Sequence, residues 1–243
     1  MNLQSIMKSI SLQPPVLKKV VPCCGAAAFG LYRLLFTLGV DGRGLLKSWH
    51  FSWVLLCILS IAVGVVILAG TAGLQGESRF RRSIPAAVCC ALAAVSTLLT
   101  GLSCLWNGHL AYALGAMLAA AAFVAVTFCR FLGRRPNFLM HAVICIHFLL
   151  QLLKLYQANS FDPQMQDYFF QILAVIALAF TAYQLALADL GRRSRRWLWV
   201  SGMSAVYLCM LSFSSSATGL FLTGAAWAFT TLVVPHRKRG QAE

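Results

Sequence analysis

Residues 81–135 read RRSIPAAVCCALAAVSTLLTGLSCLWNGHLAYALGAMLAAAAFVAVTFCRFLGRR, a pattern that recurs along the whole chain. Two apolar runs, Ile84 to Trp106 and Leu110 to Cys129, flank a short turn, and arginines follow their far ends. Each run provides the roughly 20 residues that a helix needs to cross a hydrocarbon layer of about 30 Å. The stretch therefore predicts a helical hairpin that crosses a membrane twice, with its basic ends on one side.

Six further apolar segments lie on either side of this hairpin. They are Val20 to Val40, Phe51 to Gly73, Asn137 to Gln157, Tyr168 to Ala188, Trp197 to Phe213 and Ala217 to Val234. A chain of 243 residues with 60% hydrophobic and 11% charged residues lies far from the composition of soluble domains. The predicted fold class is all-α: a polytopic integral membrane protein with eight transmembrane helices.

One membrane domain, 1–243, is predicted to hold the whole chain. Within it, 1–16 form an interfacial N-terminal segment, 17–235 the transmembrane bundle and 236–243 a basic cytoplasmic tail. The interfacial segment is indicated by Leu3, Ile6, Met7 and Ile10 at helical spacing, and a frayed tail is the alternative. The prolines Pro14 and Pro15 are expected to end that segment.

The twenty Lys and Arg residues concentrate in short clusters between the apolar segments. The clusters lie within 8–19, 79–82, 130–135, 192–196 and 237–239, and only Arg33, Arg43, Lys47 and Lys154 fall outside them. Because Lys and Arg are enriched in cytoplasmic loops, every second connection is assigned to the cytoplasm. Both termini are then cytoplasmic, in a bacterial cytoplasmic membrane. Seven crossings are the alternative, if the polar break at Ser214 to Ser216 only interrupts one long helix.

The charge pattern also selects among partners. A net charge of +14 would suggest nucleic acid in a soluble protein, but here the basic residues form short clusters at the ends of apolar segments. Such clusters attract anionic headgroups of the cytoplasmic leaflet by about 1 kcal/mol per residue. The predicted partners are the lipid bilayer and its anionic lipids, a polar or anionic small molecule, or a membrane protein, and not nucleic acid.

Catalytic and metal-binding patterns are absent from the sequence. All acidic residues lie in loops or at segment ends, so no carboxylate pair is placed within the membrane for acid–base chemistry. The nine cysteines form no C-x-x-C motif, and they fit apolar packing better than metal ligation. No catalytic residue, metal or cofactor is predicted, and the sequence favours a protein without enzymatic activity.

A polar stripe on the fifth segment is the strongest candidate site. His147, Gln151 and Lys154 follow at i, i+4 and i+7, so they share one helix face in the predicted outer half. Gln171, early in the sixth segment, is expected at similar depth. Together they could line an outward-facing cavity for a polar or anionic ligand. The alternative is ordinary interhelical hydrogen bonding with one Lys that extends to the surface.

The first segment carries a comparable set. Arg33 lies in its outer half, and Thr37 and Asp41 follow at successive i+4 steps. A central Arg is costly in lipid, so Arg33 is expected to contact Asp41, backbone carbonyls or water within the bundle. A structural Arg33 to Asp41 tether and an anion-binding Arg33 are both open. His141, near the inner interface, is interpreted as a histidine with its hydrogen bonds satisfied.

The segment from Leu31 to His50 contains Asp41, then Gly44-Leu45-Leu46, then His50. This pattern resembles a stretch of uncharacterised multi-pass membrane proteins of anaerobic bacteria. The resemblance implies a multi-pass membrane fold and carries no assigned activity. It draws attention to Asp41, Gly44 and His50, although Gly42 and Gly44 also suit a plain turn between two helices.

Three functions follow from these observations, in decreasing order of support. The first is a small-molecule permease or permease-associated subunit with an outward-facing polar site. The second is a non-catalytic membrane scaffold or regulatory partner that packs through faces of small residues. The third is an intramembrane enzyme for lipid-linked substrates, with His50 or His109 at the outer interface.

Overall fold

The computed structural model describes residues 14–38, 51–72, 74, 83–159, 165–191, 195–214 and 218–233 of the chain. Within these ranges every regular element is helical, which confirms the all-α class. The helices are α1 Pro14–Leu38, α2 Phe51–Thr71, α3 Ile84–Trp106, α4 Leu110–Leu132, α5 Phe138–Asn159, α6 Met165–Asp189, α7 Arg195–Leu211 and α8 Thr218–Val233. A short 3-10 helix, Ser212–Ser214, follows α7 directly.

Five helices within the described ranges contain segments long and apolar enough to cross a bilayer. These segments are Trp53–Thr71, Ile84–Trp106, Leu110–Leu132, Phe138–Ala158 and Tyr168–Asp189. Of the other three helices, α7 and α8 are only 17 and 16 residues long. The chain is therefore a helical membrane protein, with five spans supported by length and composition.

The helix ends follow local chemistry. The α3 bounds agree with the sequence prediction at both ends, and the Ser83 side chain accepts a hydrogen bond from the Ala86 N–H at 3.3 Å, as an N-cap does. Helix α4 runs three residues beyond its predicted end and stops at Gly133, whose φ of 71° suits the left-handed residue that ends a helix. Helix α1 begins at Pro14, which tolerates the first turn because no intrahelical N–H bond is needed there.

Helices α7 and α8 form an antiparallel pair. Gly202, in the first half of α7, faces Leu232, next to the last residue of α8. A single broken helix could not bring these two positions together. The break near Ser214 therefore separates two helices that pack side by side.

Packing then builds one bundle from these hairpins. Helix α7 contacts α1, α2, α6 and α8, whereas α3 packs on α4 and α8, and α5 packs on α4 and α6. Aromatic rings pack α4, α5 and α8 against one another. The ring centroid of Trp227 in α8 lies 5.6 Å from that of Phe123 in α4 and 6.0 Å from that of Phe148 in α5.

Basic residues gather at one end of the bundle, which we call the basic end. Lys18 of α1 lies 5.7 Å above the Trp199 ring of α7, and burial together with the nearby Arg195 lowers the pKa of Lys18. Arg130, near the end of α4, lies at the same end, since it is close enough to interact electrostatically with Asp189, the last residue of α6, and α7 begins six residues later at Arg195. The Ser83 N–H before α3 donates to the Arg130 carbonyl at 3.4 Å, so the start of α3 and Arg135, just beyond α4, lie at this end as well. The opposite end is where α3 connects to α4, and α5 to α6.

Candidate functional site

A cavity of about 1010 Å³ lies between α3, α5, α6 and α8. Its walls come from the later parts of α3 and α5 and the early parts of α6 and α8, so it lies in the half of the bundle away from the basic end. The polar side chains that line it are Ser96, Thr100, Ser103, Gln151, Lys154, Tyr168, Gln171 and Thr223. A cavity of this size is at the upper end of the usual range for small-molecule sites, roughly 300 to 1,000 Å³.

Three of the residues expected at a site share this cavity. Gln151 and Lys154 line it from α5, and Gln171 lines it from α6. The stripe on α5 provides an amide and an ammonium group less than one helical turn apart, and Gln171 adds a second amide from the neighbouring helix. The cavity can therefore offer both a positive charge and neutral hydrogen-bonding groups to one ligand.

Lys154 makes one contact that bears on its charge. Its Nζ donates to the Cys104 Sγ of α3 at 3.1 Å, and a thiol sulfur is a weak acceptor. Within the described ranges no carboxylate pairs with Lys154, since the one ion pair found there joins His141 and Asp189. The Lys154 side chain is half-buried, so its ammonium group is accessible from the cavity.

His147 is separated from the cavity. Its side chain is 1% exposed, and it lies one helical turn, about 6 Å, below Gln151 along α5. Neither ring nitrogen finds a hydrogen-bond partner among the described residues. The interhelical hydrogen bond expected under the alternative interpretation is therefore not formed here, and His147 is a buried polar group without compensation.

Arg33 also lies away from the cavity. Its guanidinium is 5.7 Å from the ring of Phe29 on the same helix, and the side chain is exposed. The sequence predicts that Arg33 faces the bundle interior, whereas the described structure exposes it about one and a half turns from the end of α1, where a long side chain can extend out of the lipid. Asp41, the expected partner of Arg33, lies outside the described residues.

Sequence reasoning did not identify the hydroxyl groups on α3. Ser96, Thr100 and Ser103 stand at i, i+4 and i+7, the same spacing that drew attention to α5. The signal is weak, because Ser and Thr in membrane helices commonly bond to a carbonyl one turn back, as Thr100 Oγ1 does to the Ser96 carbonyl at 2.9 Å. Only the packing of α3 against α8 turns this face toward the glutamines.

A second polar cluster lies at the basic end. The His141 ring, 1% exposed, bonds through Nδ1 to Asp189 Oδ2 of α6 at 2.6 Å. Arg130, also buried, is close enough to Asp189 to attract it electrostatically. His141 is therefore bonded through Nδ1 only, because its Nε2 has no partner among the described residues, so the expectation of satisfied hydrogen bonds is met in part. The cluster links α4, α5 and α6.

The nine cysteines are all free thiols within helices. Among the described residues no group of three or more His, Cys, Asp or Glu side chains is arranged to hold a metal ion. Comparison with protein-family models, curated proteins and solved structures gives no match for this chain.

Proposed function

We propose that this protein binds a small polar or anionic solute in the cavity between α3, α5, α6 and α8, as a permease or a permease-associated subunit. The observation that carries the proposal is the convergence of Gln151, Lys154 and Gln171 on one cavity. An ammonium group without a carboxylate partner in the described ranges favours an anionic group on the ligand.

The proposal includes an orientation in the membrane. All eight helices cross a bacterial cytoplasmic membrane, the basic end faces the cytoplasm with both termini, and the cavity opens on the outer side. The positive-inside tendency supports this orientation, because Arg130, Arg134, Arg135 and Arg195 lie at the end away from the cavity. The short α7 and α8 span about 26 and 24 Å if helical throughout, which suffices with slight local thinning of the bilayer.

The scaffold alternative receives less support from the packing. Its argument was that faces of small residues recognise a partner helix. Three glycines of those faces contact side chains of this same chain, since Gly25 approaches Met210, Gly115 approaches Leu150 and Gly224 approaches Leu178. These close contacts are already used within the bundle, so they do not point to a second protein.

Labelling of single cysteines from outside the cell tests the proposal. Thr100→Cys places a thiol in the cavity, and Thr97→Cys provides a matched control on the same helix, because Thr97 is buried and does not line the cavity. Asn107→Cys, at the exposed turn between α3 and α4, controls for access at that end. All three are made in a cysteine-free background and treated with a membrane-impermeant thiol reagent.

We expect labelling at positions 100 and 107 and protection at position 97. Labelling at 107 with protection at 100 would exclude a water-accessible outward cavity and would favour the scaffold. Absence of labelling at 107 in intact cells, with labelling after the cells are opened, would overturn the proposed orientation.

A further inference from the structure

The cavity wall is not uniformly polar. Leu92, Val95 and Leu99 of α3 line it and are 53%, 55% and 62% exposed. They follow at i, i+3 and i+7, so they form one apolar strip along α3. Ser96 and Thr100 lie beside the strip on the same helix. One cavity therefore combines an apolar strip with a cluster of hydrogen-bonding groups and one positive charge.

The charged group and the apolar strip lie at different depths in the membrane. Lys154 lies five residues before the end of α5, which is about 8 Å along the helix, and its Nζ reaches Cys104 near the end of α3. The apolar strip begins twelve residues before Cys104 and ends five residues before it, so it extends from about 18 to about 8 Å below that level. The charge is thus near the membrane surface, and the apolar strip runs toward the membrane centre.

A fully polar solute would leave this strip uncovered. Apolar surface in contact with water costs about 25 cal/mol per Å², so these three half-exposed aliphatic side chains are better covered by hydrocarbon than by water, while the hydroxyl and amide groups of the same cavity remain hydrated. A hydrocarbon chain would cover the same strip without any hydrogen-bonding requirement. A single molecule with an anionic group and a hydrocarbon chain could therefore bind Lys154 and cover the apolar strip at the same time.

We infer that the ligand of this cavity is an anionic amphiphile of the outer leaflet, with its headgroup at Lys154 and an acyl chain along Leu92, Val95 and Leu99. Gln151 of α5 and Gln171 of α6 then donate hydrogen bonds to the headgroup. The inference rests on the proposed function, since it takes the cavity to open on the outer side, and it narrows the ligand class from polar solutes to lipids or lipid-linked solutes.

Lipid binding to the purified full-length protein tests the inference. Native mass spectrometry in mild detergent measures the retention of phosphatidylglycerol, of zwitterionic phosphatidylcholine, and of glycerol 3-phosphate, which has an anionic phosphate without chains. Lys154→Gln removes the cavity charge, and Lys19→Gln is the matched control, because Lys19 is exposed near the basic end. Leu99→Trp obstructs the apolar strip, and Leu98→Trp is its control, since Leu98 is exposed but does not line the cavity.

We expect phosphatidylglycerol to be retained in preference to phosphatidylcholine, with a roughly fivefold loss in Lys154→Gln, the fold-change that corresponds to about 1 kcal/mol per basic residue. Leu99→Trp should also lower retention, whereas Lys19→Gln and Leu98→Trp should not, and glycerol 3-phosphate should not compete.

Two results would overturn the inference. Equal retention in Lys154→Gln and Lys19→Gln would place the lipid elsewhere on the surface. Competition by glycerol 3-phosphate, with no effect of Leu99→Trp, would mean that the ligand is a free polar anion; the inference would then fail while the outward solute site stands. The proposed function itself is tested separately: it fails if a cysteine at position 100 is protected from the thiol reagent while one at position 107 is labelled.

Discussion

Two histidines on α5 show how differently the same side chain can be accommodated. His141 and His147 are each 1% exposed. His141 bonds to Asp189 at 2.6 Å, whereas neither nitrogen of His147 has a partner in the part of the chain that the structure describes. A buried polar group without a hydrogen bond costs free energy, and removal of one member of a buried pair leaves the other uncompensated.

The same substitution at the two positions should therefore have opposite effects. Methionine is flexible and apolar, and it can fill the space of either ring. We expect His147→Met to raise the free energy of unfolding by about 1 kcal/mol, because a desolvated polar group is removed. We expect His141→Met to lower it by about 2 kcal/mol, because Asp189 loses its hydrogen bond and keeps only the electrostatic attraction of Arg130. Reversible unfolding in mixed micelles measures both, and equal effects of the two variants would contradict the assignment.

At the scale of helices, close approach depends on individual glycines. A Cβ built on Gly202 of α7 would lie 2.6 Å from Leu232 Cδ1 and 3.1 Å from Leu232 Cγ of α8. Both atoms belong to one branched side chain in a packed interface, so Leu232 cannot withdraw without disturbing its neighbours. Gly64 of α2, in contrast, has nothing within 4 Å of the same position.

This contrast predicts how a glycine-to-alanine substitution changes the stability of the protein at one position in α7 and at one position in α2. Gly202→Ala should destabilise the protein by about 1–3 kcal/mol, the usual cost of overpacking, and should loosen the α7–α8 pair. Gly64→Ala should be neutral or stabilise by up to about 1 kcal/mol, because alanine has the higher helix propensity. Thermal unfolding followed by circular dichroism compares them. A loss in Gly64→Ala as large as that in Gly202→Ala would mean that contact with Leu232 does not account for the response.

At the scale of the molecule, most of the described basic residues lie at one end of the bundle and the cavity lies in the other half, so the two ends differ in charge. Lys18, Arg130 and Arg195 lie at the basic end, and the polar cavity lies in the other half. Basic residues hold a loop in the cytoplasm, where they also meet anionic lipids. The orientation of the whole protein should therefore be set by these clusters.

Topology reporters test that orientation. With eight crossings, a green fluorescent protein fused after Glu243 should fluoresce, and alkaline phosphatase at the same place should be inactive, because the reporter stays in the cytoplasm. Alkaline phosphatase inserted at Asn107 should be active. An active phosphatase after Glu243 would support seven crossings instead.

The hydropathy pattern alone determined much of this molecule: the helical class, the eight helices of the described ranges, and bounds such as those of α3 at Ile84 and Trp106. Helices form through hydrogen bonds between residues four apart, so the local sequence determines where each helix begins and ends. The same periodicity predicted the α5 stripe of Gln151 and Lys154. Only the tertiary structure decided which faces meet. It brought Gln171 and the α3 hydroxyls to that stripe, left His147 one turn below the cavity and put Arg33 on the surface, because contacts between helices distant in sequence depend on how their surfaces pack.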